Sequence, residues 1–413
     1  MDVATSLAAG IHALPHVGDS FAAAQGAWRF FANPRVTLPA LVEPLRALGR
    51  QGGARSASAF ALMVHDWSKI DYAGHARKTD QVQLSNALDF GYELTTALLV
   101  DAADGRPLAP MELSLLAAGG RQSTAAAGPL PPVAHLDQVL PVMQASLRWG
   151  LPKRLVHVVD READSLDHLR RWHADGHLFL VRADDRRVTH GEASRLLSEV
   201  AQELSQRGAF RDTGAVEVRG KKGRSWVAAT EVVLAGPAWR RDPDGKKYRV
   251  PGPPLALRLV VVQVRDGGGR LLAQWLLLTN VPADVPAARI GLWYYWRWRI
   301  ESFHKLIKSA GMHLESWQQG SAGAIAKRLL VACMACVVVW QLEGQEAPQA
   351  ESMKRFLVNL SGRQTKRARP VTTPALLAGL RVLLLMLEVL DTFTPDEIRE
   401  QAGAVLPIVW QSG

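Results

Sequence analysis

Apolar positions along this chain follow two rhythms. Short runs of strand length, Ala59–His65, Gly91–Asp101, Met111–Ala118, Leu155–Val159 and His177–Val181, are bounded by turn pairs such as Asp104-Gly105 and Gly119-Gly120. The helical pattern Ser165–Ala174 falls between the last two runs, which predicts a mixed α/β layer over residues 59–210. From Arg211 to Pro286 the pattern turns β-rich. Strands are expected at Gly214–Arg219, Ser225–Leu234, Leu255–Val264 and Leu271–Thr279, with Asp266-Gly267-Gly268-Gly269 as a hairpin turn. This region, residues 211–286, reads as an inserted sheet. Helical periodicity returns over Ile290–Gly311 and Ile325–Gln341, within residues 287–345, and resumes over Pro374–Leu390 after the basic stretch Gly362–Pro370. Residues 346–413 form a helical C-terminal unit on this reading. Residues 1–58 form a small helical N-terminal unit that includes Phe21–Asn33, punctuated by Pro34, Pro39 and Pro44.

Composition narrows the class. A chain of 413 residues, 48% hydrophobic and 21% charged, suffices for two to four units around a substantial core and excludes disorder. The two cysteines, Cys333 and Cys336, sit in the apolar run Leu329–Trp340. They exclude a disulfide framework or a Cys-rich zinc site, and they fit a reducing, cytoplasmic setting. No uninterrupted apolar stretch reaches about 18 residues, and the N-terminus lacks a signal peptide's basic flank, so a soluble, uncleaved chain with no membrane partner is expected. The formal charge of +10 favours a polyanionic partner, with plain solubility charge as the alternative. No phosphate-binding G-x-x-x-x-G-K-[ST], H-E-x-x-H or G-x-S-x-G motif occurs.

Wound as one helix, Ile290–Lys308 places Tyr294, Arg297, Glu301 and Lys308 in a stripe about 60° wide, with Lys305 and Trp298 beside it and Ile300, Phe303, Leu306 and Ile307 opposite. One carboxylate among cations and aromatics suits a metal ligand next to bound phosphates. The same spacing suits a solvated face on which Glu301 pairs with Arg297 and Lys305. Two further acids end strand-like runs, Asp66 after Ala61–His65 and Asp160 after Leu155–Val159. Two strand-end acids and one helix acid make the minimal oxygen cage for two Mg²⁺ ions in phosphoryl transfer. Asp164 or Ser165 reads as the N-cap of the helix Ser165–Ala174, and Arg161 either approaches phosphate or pairs with a nearby acid. His65, His157 and His304 adjoin the same positions in sequence.

The motif Tyr294-x2-Arg297-x3-Glu301-x6-Lys308 is similar to the Y-R-E-K signature of DDE transposases of the insertion-sequence-four family. The segments His65-Asp-Trp-Ser-Lys-Ile-Asp-Tyr72, Val159-Asp-Arg-Glu-Ala-Asp164 and Gln25-Gly-Ala-Trp-Arg-Phe-Phe-Ala-Asn-Pro34 also resemble that family, in order, over about residues 20–345. The resemblance implies a ribonuclease-H-like mixed-sheet catalytic core interrupted by the β-rich insertion. It implies two Mg²⁺ ions, with Mn²⁺ as a substitute, held by Asp66, Asp160 and Glu301, and DNA contacts from Tyr294, Arg297, Trp298, Lys305, Lys308, Trp275 and Arg161. It further implies cut-and-paste transposition by 3′-end nicking, hairpin formation and resolution, and strand transfer. The partners would be double-stranded DNA, as element ends and target, and a second copy in a homodimer. The setting would be bacterial and nucleoid-associated. Trp275 and Trp298 would hold a flipped base, with an inward-facing strand residue as the alternative for Trp275. The basic turn Arg219–Arg224 and the stretch Gly362–Pro370 are further candidate DNA contacts. Little chain precedes Gln25 to form the family's DNA-reading N-terminal helices, so the N-terminal unit looks shortened. That leaves a catalytically inactive or inhibitory DNA-binding derivative as the alternative.

Overall fold

A computed structural model describes residues 20–241, 244–363 and 371–405. Most of the stretch Gly362–Pro370, from residue 364 onward, lies outside those residues, as do residues 1–19 and 406–413. Helices α1 (Ser20–Ala32) and α2 (Leu38–Arg55) come first. Thr37 caps α2, its Oγ1 accepting the Ala40 N–H at 3.4 Å, and Pro39 stands in the first turn, where no intrahelical donor is needed. Pro44 lies inside α2 instead of ending it, so the prolines mark fewer breaks than the sequence predicts.

The strands are β1 (Phe60–Asp71), β2 (Val82–Gln83), β3 (Phe90–Asp101), β4 (Pro107–Ala117), β5 (Gly120–Ser123), β6 (Arg154–Val159), β7 (Leu178–Arg182), β8 (Arg187–His190), β9 (Ala193–Leu196), β10 (Arg211–Val218), β11 (Lys221–Leu234), β12 (Ala238–Arg241), β13 (Lys247–Val250), β14 (Leu255–Arg265) and β15 (Leu271–Thr279). All but β12 and β13, which pair with each other, join one sheet in the order β5-β4-β3-β1-β6-β7-β15-β14-β11-β8-β9, with β10 on β11 and β2 on β3. Strand β1 is antiparallel to β3 and parallel to β6, which is parallel to β7. The β-rich region is therefore not a separate sheet. Its strand β15 pairs with β7 through Thr279↔Leu180 and carries the main sheet onward. The physical reason is that β7 would otherwise be an open edge, and β14 is apolar enough to be covered on both faces.

Helices cover both faces. Along β6, Val156 and Val158 enter the core shared with α2 and the later helices. Val159 enters the second core, with α3 (His135–Ser146), α4 (Leu166–Ala174) and α5 (Leu197–Gln206). The later helices are α6 (Ala287–Trp296), α7 (Trp298–Lys305), α8 (Ala322–Glu343), α9 (Pro348–Leu360), α10 (Thr373–Thr392) and α11 (Pro395–Val405). The chain is thus mixed α/β around a large sheet. Helices α8 and α10 are, by length and composition only, apolar enough to cross a membrane, although charges interrupt both, as the sequence predicts. The most apolar window of α8 is 67% buried inside the molecule and that of α10 22%. Cys333 and Cys336 are buried on α8, and burial pushes the Cys336 thiol up to about 12, so both are packing residues.

Candidate active site

Strands β1 and β6 run side by side with Val64 opposite Val158, so two residues further along each strand stand Asp66 and Asp160. The period of two puts both on the same face as Leu62, Val64, Val156 and Val158. Asp160 ends β6, as expected, and its Oδ1 accepts the Glu162 N–H at 2.9 Å across a short 3₁₀ turn. Asp66 does not end a strand. β1 continues to Asp71 because β3 keeps pairing with it after β6 has stopped, so Asp66 lies mid-strand beside the end of β6.

The helix predicted over Ile290–Gly311 is divided into α6, α7 and a π-turn at Leu306–Ala310, with the division at Arg297. Ile300, Phe303, Leu306 and Ile307 are buried, as the periodicity requires. The opposite stripe is buried at its start and exposed at Glu301 and Lys305. Tyr294 is 3% exposed and Arg297 8%, because this side of the helix lies over the sheet. Arg297 reaches both acid-bearing elements, with Nη2 2.5 Å from Glu301 Oε1 and Nη1 3.7 Å from Asp66 Oδ2. The i−4 half of the pairing expected on a solvated face is therefore present, but with a largely buried guanidinium that also serves Asp66.

Burial pushes the Asp66 carboxyl up to about 6. Arg297 and the Trp67 N–H hold it down, while Asp160 and Glu301 push it further up. Three carboxylates thus share one field, with Arg297 as the counter-charge. Burial works against the Arg297 charge, but Tyr294, Glu301 and Asp66 outweigh it and raise its pKa. Burial raises Tyr294 too, against Arg297. The donor set is all oxygen and fits Mg²⁺ in its chemistry. Among the described residues no three His, Cys, Asp or Glu side chains are gathered closely enough to hold a metal ion, and Arg297 is the group that bridges Asp66 and Glu301.

The other predicted positions fall in different places. Lys308 donates to the Lys69 carbonyl at 2.5 Å and lies 3.2 Å from Glu315, at the edge of β1. Lys305, one turn beyond Glu301 on α7, lines a cleft of about 540 Å³ with Arg299, Glu343 and Val371–Pro374. Trp275 on β15 is 6% exposed and packs on Tyr294 (5.6 Å between ring centres) and Trp298 (6.2 Å), which is the inward-facing alternative. Trp298 is half-buried and also meets Tyr295. Arg161 is exposed and pairs with Asp184 at 3.2 Å. Ser165 occupies the N-cap position of α4 without capping it, its Oγ bonding His168 instead, and Asp164 pairs with Arg186 at 2.6 Å. In the turn Arg219–Arg224, Arg224 is taken by Asp212.

His65 Nε2 and His157 Nδ1 lie 2.9 Å apart, fully buried, and burial lowers His65 to about 3, so this pair is neutral core. His304 reaches Thr96 Oγ1 at 3.2 Å and is likewise lowered to about 3, by burial and then by Lys308. Sequence reading missed the group Trp67, Glu93, His135 and Glu162, which meets beside the acids on the other side of β1. Trp67 adjoins Asp66 and Glu162 follows Asp160, but nothing in the spacing of His135 or Glu93 signals the convergence, which the pairing of β1 with β3 creates. No protein-family model matches the chain.

Proposed function

We propose that the chain is a DNA transposase of the DDE type, moving an insertion sequence by metal-dependent phosphoryl transfer on a ribonuclease-H-like core. One observation carries the reading: Asp66 and Asp160, remote in sequence, stand in adjacent register on parallel strands, under the helix that brings Arg297 and Glu301. The strand order β4-β3-β1-β6-β7, antiparallel up to β1 and parallel beyond it, supports the ribonuclease-H-like part.

Asp66, Asp160 and Glu301 would hold two Mg²⁺ ions, which when bound activate the attacking oxygen and stabilise the leaving one. Glu301, whose side chain is 54% exposed and tied to Arg297, can exchange that partner, and Arg297 can then turn its planar fork to a DNA phosphate. Lys308, at the edge of the same face, adds a second cation for the DNA backbone. Trp298 offers a partly open ring for an unstacked base, backed by Trp275. A second copy is the proposed partner of α10, whose Met386, Leu387 and Leu390 are exposed.

A second reading, a DNA-binding regulator without catalysis, is favoured by the Arg297 bridge, which occupies two of the three acids from within the chain itself. Incubating the protein and Mg²⁺ with duplexes taken from inverted repeats beside its coding region decides between them. Nicked, hairpin and joined products that vanish in Asp160→Asn are expected. Binding with no product by the parent protein gives the regulatory reading.

A further inference from the structure

Each strand-borne acid of the proposed site is held by a single backbone amide, Asp66 Oδ1 by the Trp67 N–H and Asp160 Oδ1 by the Glu162 N–H, both at 2.9 Å. The side chains of those two amide-bearing residues meet at His135, the first residue of α3. Its ring lies on the Trp67 indole with centres 4.6 Å apart and planes 11° from parallel. Its Nδ1 is 2.5 Å from Glu162 Oε1, and its Nε2 is 2.8 Å from Glu93 Oε1 on β3. An ionised carboxylate only accepts, so satisfying both contacts requires a hydrogen on each ring nitrogen, which is the imidazolium. A neutral ring has one N–H and holds one glutamate at most.

We propose that His135 is a positioning residue: clamped as a cation between Glu93 and Glu162 and stacked on Trp67, it fixes the two amides that orient Asp66 and Asp160. This rests on the reading of those acids as the site. Burial alone would lower the His135 pKa, but its hydrogen bonds to Glu162 and Glu93 and their charges raise it above the ordinary histidine value. The other charges nearby have partners of their own or neighbour one of the glutamates. Asp137 on α3 pairs with His168 and Arg171, Arg161 pairs with Asp184, and Lys69 is the cross-strand neighbour of Glu93. Because the folded-state value is raised, the clamp is complete below the ordinary histidine value and is lost as pH rises through the raised one.

The test uses the full chain without DNA or metal. Histidine NMR, with the His135 signal assigned by its absence in His135→Phe, is expected to give a midpoint above about 6.5 that falls in Glu162→Gln and Glu93→Gln. Exchange at the Glu162 amide, corrected for intrinsic pH dependence, is expected to speed about tenfold or more in His135→Phe. The same step is expected in the parent protein as pH passes the His135 midpoint, with α8 amides unchanged. A ring that only fills space would lower thermal stability in His135→Phe without that step. A midpoint at or below about 6.5, or unchanged exchange at Glu162, overturns the proposal. If His135→Phe does not fold, Glu162→Gln, which keeps the ring, is expected to show the same faster exchange, and its absence overturns the proposal equally. Failure of the DNA assay leaves this measurement standing, and failure here leaves the DNA assay standing.

Discussion

Asp66 shows how much the site works against the fold. A carboxyl pushed up to about 6 by burial, from an ordinary 3.8, binds its proton more tightly folded than unfolded. Stability therefore falls as pH rises from near 4 through 6, by about 3 kcal/mol in all. Asp66→Asn is expected to remove that slope and to be more stable than the parent by about 1–3 kcal/mol above pH 6, with little difference at pH 4, in urea unfolding across that range. Arg297→Gln is expected to act in the opposite direction. Without the guanidinium, Asp66 and Glu301 lose their counter-charge, and the variant should lose about 3–5 kcal/mol at pH 8 and less at pH 5, where the acids take up protons. Equal losses at the two pH values would show that Arg297 acts by packing alone. The acids themselves were legible from the sequence, as was the Arg297–Glu301 spacing. The bond from Arg297 to Asp66 was not, because it joins residues brought together only by the helix lying over the sheet.

At the scale of elements, two glycines fix how the helices approach. Gly379 of α10 crosses α9 so closely that a Cβ there would stand 1.8 Å from the Leu357 carbonyl oxygen, and backbone cannot yield as a side chain can. Gly379→Ala is expected to separate the two helices, at a cost of about 3 kcal/mol or more, read as faster limited proteolysis within Thr373–Thr392. Gly105, in the turn between β3 and β4, has φ +76° and faces the Trp296 ring, while its carbonyl accepts from Arg299 Nε at 2.9 Å. That turn seats the junction of α6 and α7. The amphipathic rhythm of Ile290–Gly311 made the helix and its buried side readable. Its division at Arg297 was not readable, because the turn answers to packing on Gly105 and the sheet, and Arg297 is no breaker by propensity. Strands β10, β11, β14 and β15 were readable from alternation and turn residues, whereas β12 and β13 were not. The junction of β15 to β7 was not readable either, since an apolar strand reads alike in a separate sheet and in a continued one.

For the whole molecule, the +10 formal charge, together with the DNA partner proposed above, sets the expectation for salt. If Lys308 contacts a phosphate, Lys308→Ala should shallow the slope of log affinity against log salt by about 0.9, measured on duplex DNA by fluorescence anisotropy. An unchanged slope would leave Lys308 as the partner of Glu315 and the Lys69 carbonyl. From residue order alone came the periodicities, and with them many of the elements, the buried side of the Glu301 helix and the acids that follow strand-like runs, since each depends only on neighbours a few positions away. Tertiary structure alone decided that β1 runs past Asp66, that one sheet takes in the β-rich region, that Lys305 faces another cleft, and that His135 meets two glutamates beside the acids. Those outcomes depend on which strands pair and which faces pack, and the energies of such contacts between distant residues leave no period in the chain.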